Sequence, residues 1–272
     1  MARRVPRCFA LSTGGHLLSF TTAGDAGGWH VFDLTAISHS GADLTTAPHP
    51  IKLGSTVAVY TTDSSKHLHD FYKPIASNWA DIDITHQTGE NAIFGVPYAY
   101  GGNSIQTVGT SAGGHLITFV QAVNPDGTLT FGVQPGWADL TQLSGNTELP
   151  FGTADPVVAT GNKVNIFVDD KHDNLVDFTK TPTGPWQVAT IAALGIADET
   201  PSVLWSPSAG WHVVVNIGGS GLVDYTSGSD VSALNANPVP HGINAFGDPS
   251  VIAVGSGLPT LLTFSDRFVV LG

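Results

Sequence analysis

The sequence is poor in cysteine, in charge and in long apolar runs. Cys8 is the single cysteine among 272 residues, which excludes an internal disulfide framework and a thiolate metal cage. Only 12% of residues are charged, and ten Lys and Arg against 22 Asp and Glu give a formal net charge of -12. So few cations leave no basic stripe to neutralise a phosphate backbone, and nucleic acid is not expected as a partner. The same balance disfavours docking on anionic membranes. No apolar stretch approaches the roughly 18 residues that span a bilayer. Arg3, Arg4 and Arg7 open the chain as a signal n-region would, but Ser12, Thr13, Gly14, Gly15 and His16 break the segment that follows, so no continuous signal-peptide core is present. Sustained apolar spacing at i, i+3, i+4 and i+7 is also missing, so helices should be nearly absent.

What the sequence has instead is 32 Gly, 17 Pro, abundant Thr and Ser, and 42% hydrophobic residues. That is the composition of many short strands joined by turns. A repeat runs through it. One recurring element ends in Asp plus an aromatic or leucine: Val31-Phe32-Asp33-Leu34, Leu68-His69-Asp70-Phe71, Leu175-Val176-Asp177-Phe178 and Leu222-Val223-Asp224-Tyr225. Residues 129–131 and 268–271 hold the same place without the Asp. Each follows an apolar element, such as His16-Leu17-Leu18-Ser19-Phe20, Val57-Ala58-Val59-Tyr60, His115-Leu116-Ile117-Thr118-Phe119 or Val164-Asn165-Ile166-Phe167. Polar links of Asn, Asp and Gly join the two, as hairpins require.

A further element begins at Trp79, Trp137 or Trp186, with residues 41–44 and 230–233 in the same place without the ring. Prolines at 6, 50, 97, 156, 201 and 249 mark the unit starts, because proline can begin a strand but cannot donate within the ladder. A four-stranded unit recurring about every 45 to 50 residues predicts an all-β fold, a β-propeller of six four-stranded blades, with five as the alternative. The blades fall at 1–47, 48–93, 94–150, 151–196, 197–245 and 246–272 of a single domain, the last incomplete. Residues 91–105 read as an insertion in the link to the third unit, and residues 2–5 as a candidate for the missing outermost strand.

Three residue sets are candidates for ligand contact. Asp33, Asp70, Asp177 and Asp224 either fix blade geometry by accepting backbone N–H bonds or accept hydroxyl hydrogens from a sugar. Trp29, Trp79, Trp137 and Trp186 either pack at blade edges or cover the apolar face of a pyranose. His16 and His115 take equivalent places where the other units vary, as rim residues would. No HExxH or complete calcium loop is present, and no metal or cofactor is expected. GxSxG and P-loop signatures are absent too, so no catalytic residue is assigned.

In its repeat grammar the chain resembles the propeller lectins, the fucose-binding six-bladed lectins and tachylectin-like propellers. The resemblance rests on an apolar strand, a tight hairpin and a following Trp strand, as in the segment from Val164 through Asp170 and Asn174-Leu175-Val176-Asp177-Phe178 to Pro185-Trp186. It implies multivalent glycan binding between blades, an extracellular or secreted location and compatibility with oligomers. The chain departs from the fucose pattern: its arginines are Arg3, Arg4, Arg7 and Arg267, and no Glu recurs. Two other functions stay open, an enzyme with one pocket at the channel mouth, such as a glycoside hydrolase or lyase, and a protein-binding scaffold.

Overall fold

The computed structural model describes residues 7–22, 28–53, 56–74, 77–88, 93–101, 104–131, 137–143, 145, 157–160, 163–170, 172, 174–181, 184–193, 201–206, 210–217, 221–228, 234–238, 246–253 and 259–264. Six antiparallel sheets follow one another along these residues. Sheet 1 has the order β1 (Arg7–Leu11), β2 (Leu17–Thr22), β3 (Trp29–Asp33). Sheet 2 has the order β4 (His49–Leu53), β5 (Thr56–Thr62), β6 (Leu68–Lys73), β7 (Ala80–Asp83). In sheet 3, β8 (Ile93–Gly101), β9 (Ser104–Ser111) and β10 (Leu116–Val123) are followed by β11 (Leu129–Phe131) and β12 (Trp137–Asp139), which both pair with β10 and together make an interrupted fourth strand. Sheet 4 runs β13 (Val157–Thr160), β14 (Lys163–Asp169), β15 (Asn174–Lys180), β16 (Gln187–Ala193). Sheet 5 runs β17 (Ser202–Ser206), β18 (Gly210–Ile217), β19 (Gly221–Ser227), β20 (Asn235–Pro238), and sheet 6 pairs β21 (Phe246–Ala253) with β22 (Pro259–Phe264).

The hairpins form where short polar residues offer the chain a local bond. Ser12 Oγ accepts from the N–H of His16 at 3.1 Å, Asp63 Oδ1 from His67 at 2.8 Å and Asp170 Oδ1 from Asn174 at 3.0 Å. Two residues before the next strand the backbone is left-handed, at Gly15 (φ 71°) and Lys66 (φ 67°). Glycine is favoured at position 15, because the backbone is left-handed there and a Cβ would press on the Asp43 carboxylate and lie 3.1 Å from the Leu44 backbone nitrogen.

The chain comprises two compact units, Met1–Ala112 with Ile117–Ala138, and Gly113–Leu116 with Asp139–Gly272. In the first, Leu17 and Leu34 of sheet 1 pack on Val59, Phe71 and Trp79 of sheet 2, and Tyr60, Leu68 and Ile84 of sheet 2 pack on Ile105, Ile117 and Phe119 of sheet 3. In the second, Phe167 and Leu175 of sheet 4 pack on Trp211, Val213 and Tyr225 of sheet 5. A single sheet cannot hide both faces, and this face-to-face stacking removes about 1.5–3 kcal/mol worth of apolar surface from water per large side chain.

Three details of the expected repeat are corrected. The His16-to-Phe20 and His115-to-Phe119 segments are third strands, equivalent to Leu68–Lys73, since each Leu after the turn pairs with the last residue of the strand before it (Leu17 with Leu11, Leu68 with Thr62). The strand of the first unit that begins with tryptophan is therefore Trp29–Asp33; of residues 41–44, only Leu44 makes a bridge, to Asp63. Residues 93–101 form β8 rather than a lengthened link. Pro50, Pro97 and Pro249 lie in first strands. Pro6, Pro156, residues 2–5, 230–233 and 268–271 lie outside the described residues.

Helices are few and short among the described residues: α1 (Leu34–Ile37), α2 (Ile84–Thr88) and α3 (Leu140–Leu143). None is long and apolar enough to cross a membrane.

Candidate functional site

The fourth strands of sheets 1 to 3 end in the same three-residue string: Asp33-Leu34-Thr35, Asp83-Ile84-Thr85 and Asp139-Leu140-Thr141. The Asp caps the short helix. Its Oδ1 accepts from the N–H of Ala36 at 2.9 Å, His86 at 2.8 Å and Gln142 at 2.8 Å respectively. Its Oδ2 meets a histidine Nδ1 at the start of the third strand: His16 at 2.7 Å, His67 at 2.8 Å and His115 at 2.5 Å. The Thr hydroxyl then accepts the N–H of the residue after the histidine, Leu17, Leu68 or Leu116, at 2.8–2.9 Å. This clamp ties the third strand to the end of the fourth. Burial pushes the Asp33 carboxyl up, but the Ala36 N–H and His16 outweigh it and hold the group below its usual range. Three copies in three sheets, each with the same backbone partners, mark a structural fastening rather than a reaction centre. His16 and His115 belong to it together with His67, which the repeat as read from sequence had not aligned with them.

Asp70, Asp177 and Asp224 occupy a different place, two residues after the first Leu of the third strand, mid-ladder. Asp177 accepts from Asn165 Nδ2 at 2.7 Å, and Asp224 faces His212 Nδ1 at 2.8 Å. Asn165 and His212 stand at one strand position, each four residues before the partner of that Leu. In sheet 2 this position is Ala58, and Asp70 takes its bond from Gln121 Nε2 of sheet 3 at 2.7 Å. Tyr60 completes the chain, its hydroxyl donating to Gln121 Oε1 at 2.7 Å. Burial raises Asp70 to about 8 and Asp177 to about 7 despite these donors. The buried His69 is pulled down by burial, but Asp81, Asp83 and Asp63 prevail and raise it.

The four candidate tryptophans differ in exposure. Trp29 is 56% exposed, Trp137 half-buried, and Trp79 and Trp186 only 8% exposed. Trp186 carries Lys180 Nζ 5.6 Å from its ring centroid. Trp79 meets the edge of Phe9 at 6.1 Å and carries the Arg7 guanidinium 5.7 Å above its ring. Beside Trp79 a cleft of about 240 Å³ opens between sheets 1 and 2. Arg7, Ser19, Phe32 and Ile37 line it from sheet 1 and α1, and Lys73 and Asn78 from sheet 2. The register explains the first wall: Ser19 pairs with Phe9 on one side and Phe32 on the other, so the three side chains share a face with Arg7. Phe32 is 46% exposed. Among the described residues no carboxylate lines this cleft. Of the sequence candidates only Trp79 belongs to it; the rest of the lining was missed. One signal was available, the spacing Lys73 to Trp79, which recurs as Lys180 to Trp186. Among the described residues no group of His, Cys, Asp or Glu is arranged to hold a metal ion.

Serial four-stranded antiparallel sheets stacked on their faces make this chain an all-β protein of the β-propeller fold. Among solved structures it is similar to the SapL1 lectin in complex with alpha methyl fucoside, at 10% identity over 92% of this chain and 82% of that one, with a TM-score of 0.59. It is also similar to the six-bladed lectin of Aleuria aurantia (11% identity, 96% and 83% covered, TM-score 0.56) and to AofleA from Arthrobotrys oligospora (14%, 97% and 80%, TM-score 0.52). No family model and no curated protein matches the sequence. The expected resemblance to the propeller lectins is thus met at the level of fold.

Proposed function

We propose that the whole chain is one carbohydrate-binding propeller, extracellular in location, and that the cleft between sheets 1 and 2 is a saccharide site. The observation that carries this reading is the cleft's lining. An open aromatic face at Phe32 lies among the side-chain donors of Arg7, Lys73, Asn78 and Ser19. An aromatic ring covers the C–H face of a pyranose, and side-chain donors order its hydroxyls. At about 240 Å³ the cleft lies below the roughly 300–1,000 Å³ of pockets for drug-sized ligands and suits a single sugar ring. The structural neighbours support the reading, since their names describe fucose-specific lectins and a bound fucoside. One shallow site would bind weakly, and further sites between other blades would raise the avidity on a glycan-coated surface by orders of magnitude.

A glycan array followed by titration with the binding saccharide tests this. The intact protein should bind at least one saccharide class, and Phe32→Ala should weaken that binding about tenfold, consistent with roughly 0.5–1.5 kcal/mol for an aromatic contact in addition to its buried area, with the fold intact by circular dichroism. Binding that is indifferent to Phe32→Ala would remove the cleft from the function.

A further inference from the structure

We propose that this cleft selects acidic pyranosides, sugars whose ring carries a carboxylate, over neutral ones. The proposal rests on the saccharide-binding reading above.

Sheets 1, 4 and 5 share one pair of strand positions. In sheet 4 Asn165 donates to Asp177, and in sheet 5 His212 faces Asp224, each pair set diagonally across the second and third strands. The same two positions in sheet 1 are Arg7 and Ser19, by the pairing of Arg7 with Thr21 and of Leu11 with Leu17. The donor is therefore retained and made a permanent cation, while its carboxylate is replaced by a hydroxyl. Both residues line the open cleft. A ligand carboxylate there would take up the acceptor role that the protein fills with its own Asp in the other sheets.

The surroundings agree. Arg7 is held in place by the Trp79 ring beneath it, so less side-chain freedom remains to be lost when it binds. Lys73 supplies a second cation from the opposite wall. Among the described residues neither makes an ion pair with a carboxylate, although the chain carries 22 Asp and Glu against ten Lys and Arg. Two cations facing one cleft with no acidic residue among its described lining are a local exception in a chain of net charge -12. The overall charge repels anions, so capture of an acidic sugar must come from contacts inside the cleft, within the roughly 8 Å over which charges act at physiological salt. Charge-assisted bonds from guanidinium to carboxylate are about twice as strong as neutral ones, which gives the discrimination.

The test is a calorimetric or NMR titration of the intact protein with methyl glucuronide, methyl glucoside and alpha methyl fucoside. The first two share a ring and differ in the group at C6, carboxylate against hydroxymethyl. The glucuronide should bind about tenfold or more tighter than the glucoside. Arg7→Gln and Lys73→Gln should each weaken glucuronide binding by about three- to tenfold more than they weaken glucoside binding, so that the preference shrinks by that factor. Lys73→Gln lies at the end of β6 and keeps the test informative if Arg7→Gln disturbs β1. Equal or tighter binding of either neutral sugar, or a preference unchanged in both variants, overturns acid selectivity and leaves the saccharide site standing. Acetate binding as tightly as the glucuronide also overturns it, because the ring would then contribute nothing. If none of the three glycosides binds, acid selectivity falls, and the glycan array alone decides the saccharide site.

Discussion

Sheets 1 to 3 and sheets 4 and 5 use one strand frame and hold it together differently. The first group fastens strand ends at the surface, where His and Asp meet beside a short helix and Thr takes up a buried N–H. The second group has no described helix and joins its middle strands through polar pairs set into the ladder, Asn165 with Asp177 and His212 with Asp224. Sheet 2 carries both devices, with Asp70 bonded across to sheet 3. In the surface fastening Asp33 is held below its usual range by the Ala36 N–H and His16, whereas burial in the ladder makes ionisation of Asp70 and Asp177 costly, so these carboxylates respond to pH in opposite senses.

That contrast yields the largest expected effect. Asp70 at about 8 and Asp177 at about 7 both stand well above their unfolded value, so the folded chain binds more protons than the unfolded one between roughly pH 4 and 8. Their contribution to stability is complete below pH 4 and is lost as pH rises through the folded values. His69, also raised, adds a smaller loss of the same sign above its unfolded pKa of about 6.5. Urea unfolding should therefore show stability falling from pH 5 to pH 8.5 by about several kcal/mol, and Asp70→Asn or Asp177→Asn should flatten the slope. An unchanged slope in both variants would show that the carboxylates do not carry it. Asp33 is lowered instead, so its contribution is present above the unfolded value and disappears only as pH falls below it. Asp33→Asn should thus lower stability evenly above the carboxylate range, flatten the acid limb, and leave the slope from pH 5 to pH 8.5 unchanged.

A smaller effect separates the two groups directly. Thr85→Val keeps the shape of the side chain but leaves the buried N–H of Leu68 without its acceptor, which should cost about 1–3 kcal/mol in urea unfolding. Thr190→Val, at an exposed position of β16 in the group with no clamp among its described residues, should stay within about 0.5 kcal/mol. Equal losses would mean that the Thr bond is incidental. The smallest effect is expected at His16, whose side chain is 49% exposed. His16→Gln should cost about 0–1 kcal/mol, because a solvated ion pair is screened.

Much of this architecture was legible in the sequence. The polar turns, the apolar elements and the proline-led starts located the sheets, because hairpin chemistry is local and leaves its residues in a row. The phase of the repeat was not legible in units 1 and 3. Second and third strands look alike, as Val57-Ala58-Val59-Tyr60 and His16-Leu17-Leu18-Ser19-Phe20 show, since both are buried on two faces and end in an aromatic ring. Asp33 and Asp70 then appear equivalent although one caps a helix and the other sits in mid-ladder. The string Asp-Leu/Ile-Thr after the tryptophan strand would have fixed the phase. The cleft was hidden for another reason. Arg7 and Lys73 stand 66 positions apart, as their numbers give by subtraction, and only the stacking of two sheets sets them around one space.

Each clamp draws its His, Asp and Thr from a single sheet. A tandem duplication of one such segment would therefore copy its fastening intact, and the new module would need only a neighbour's greasy face to settle against. Growth by copying is open to units built in this way, and afterwards each copy is free to exchange an inner carboxylate for a hydroxyl, and its donor for an outward-facing arginine, without loosening its own frame.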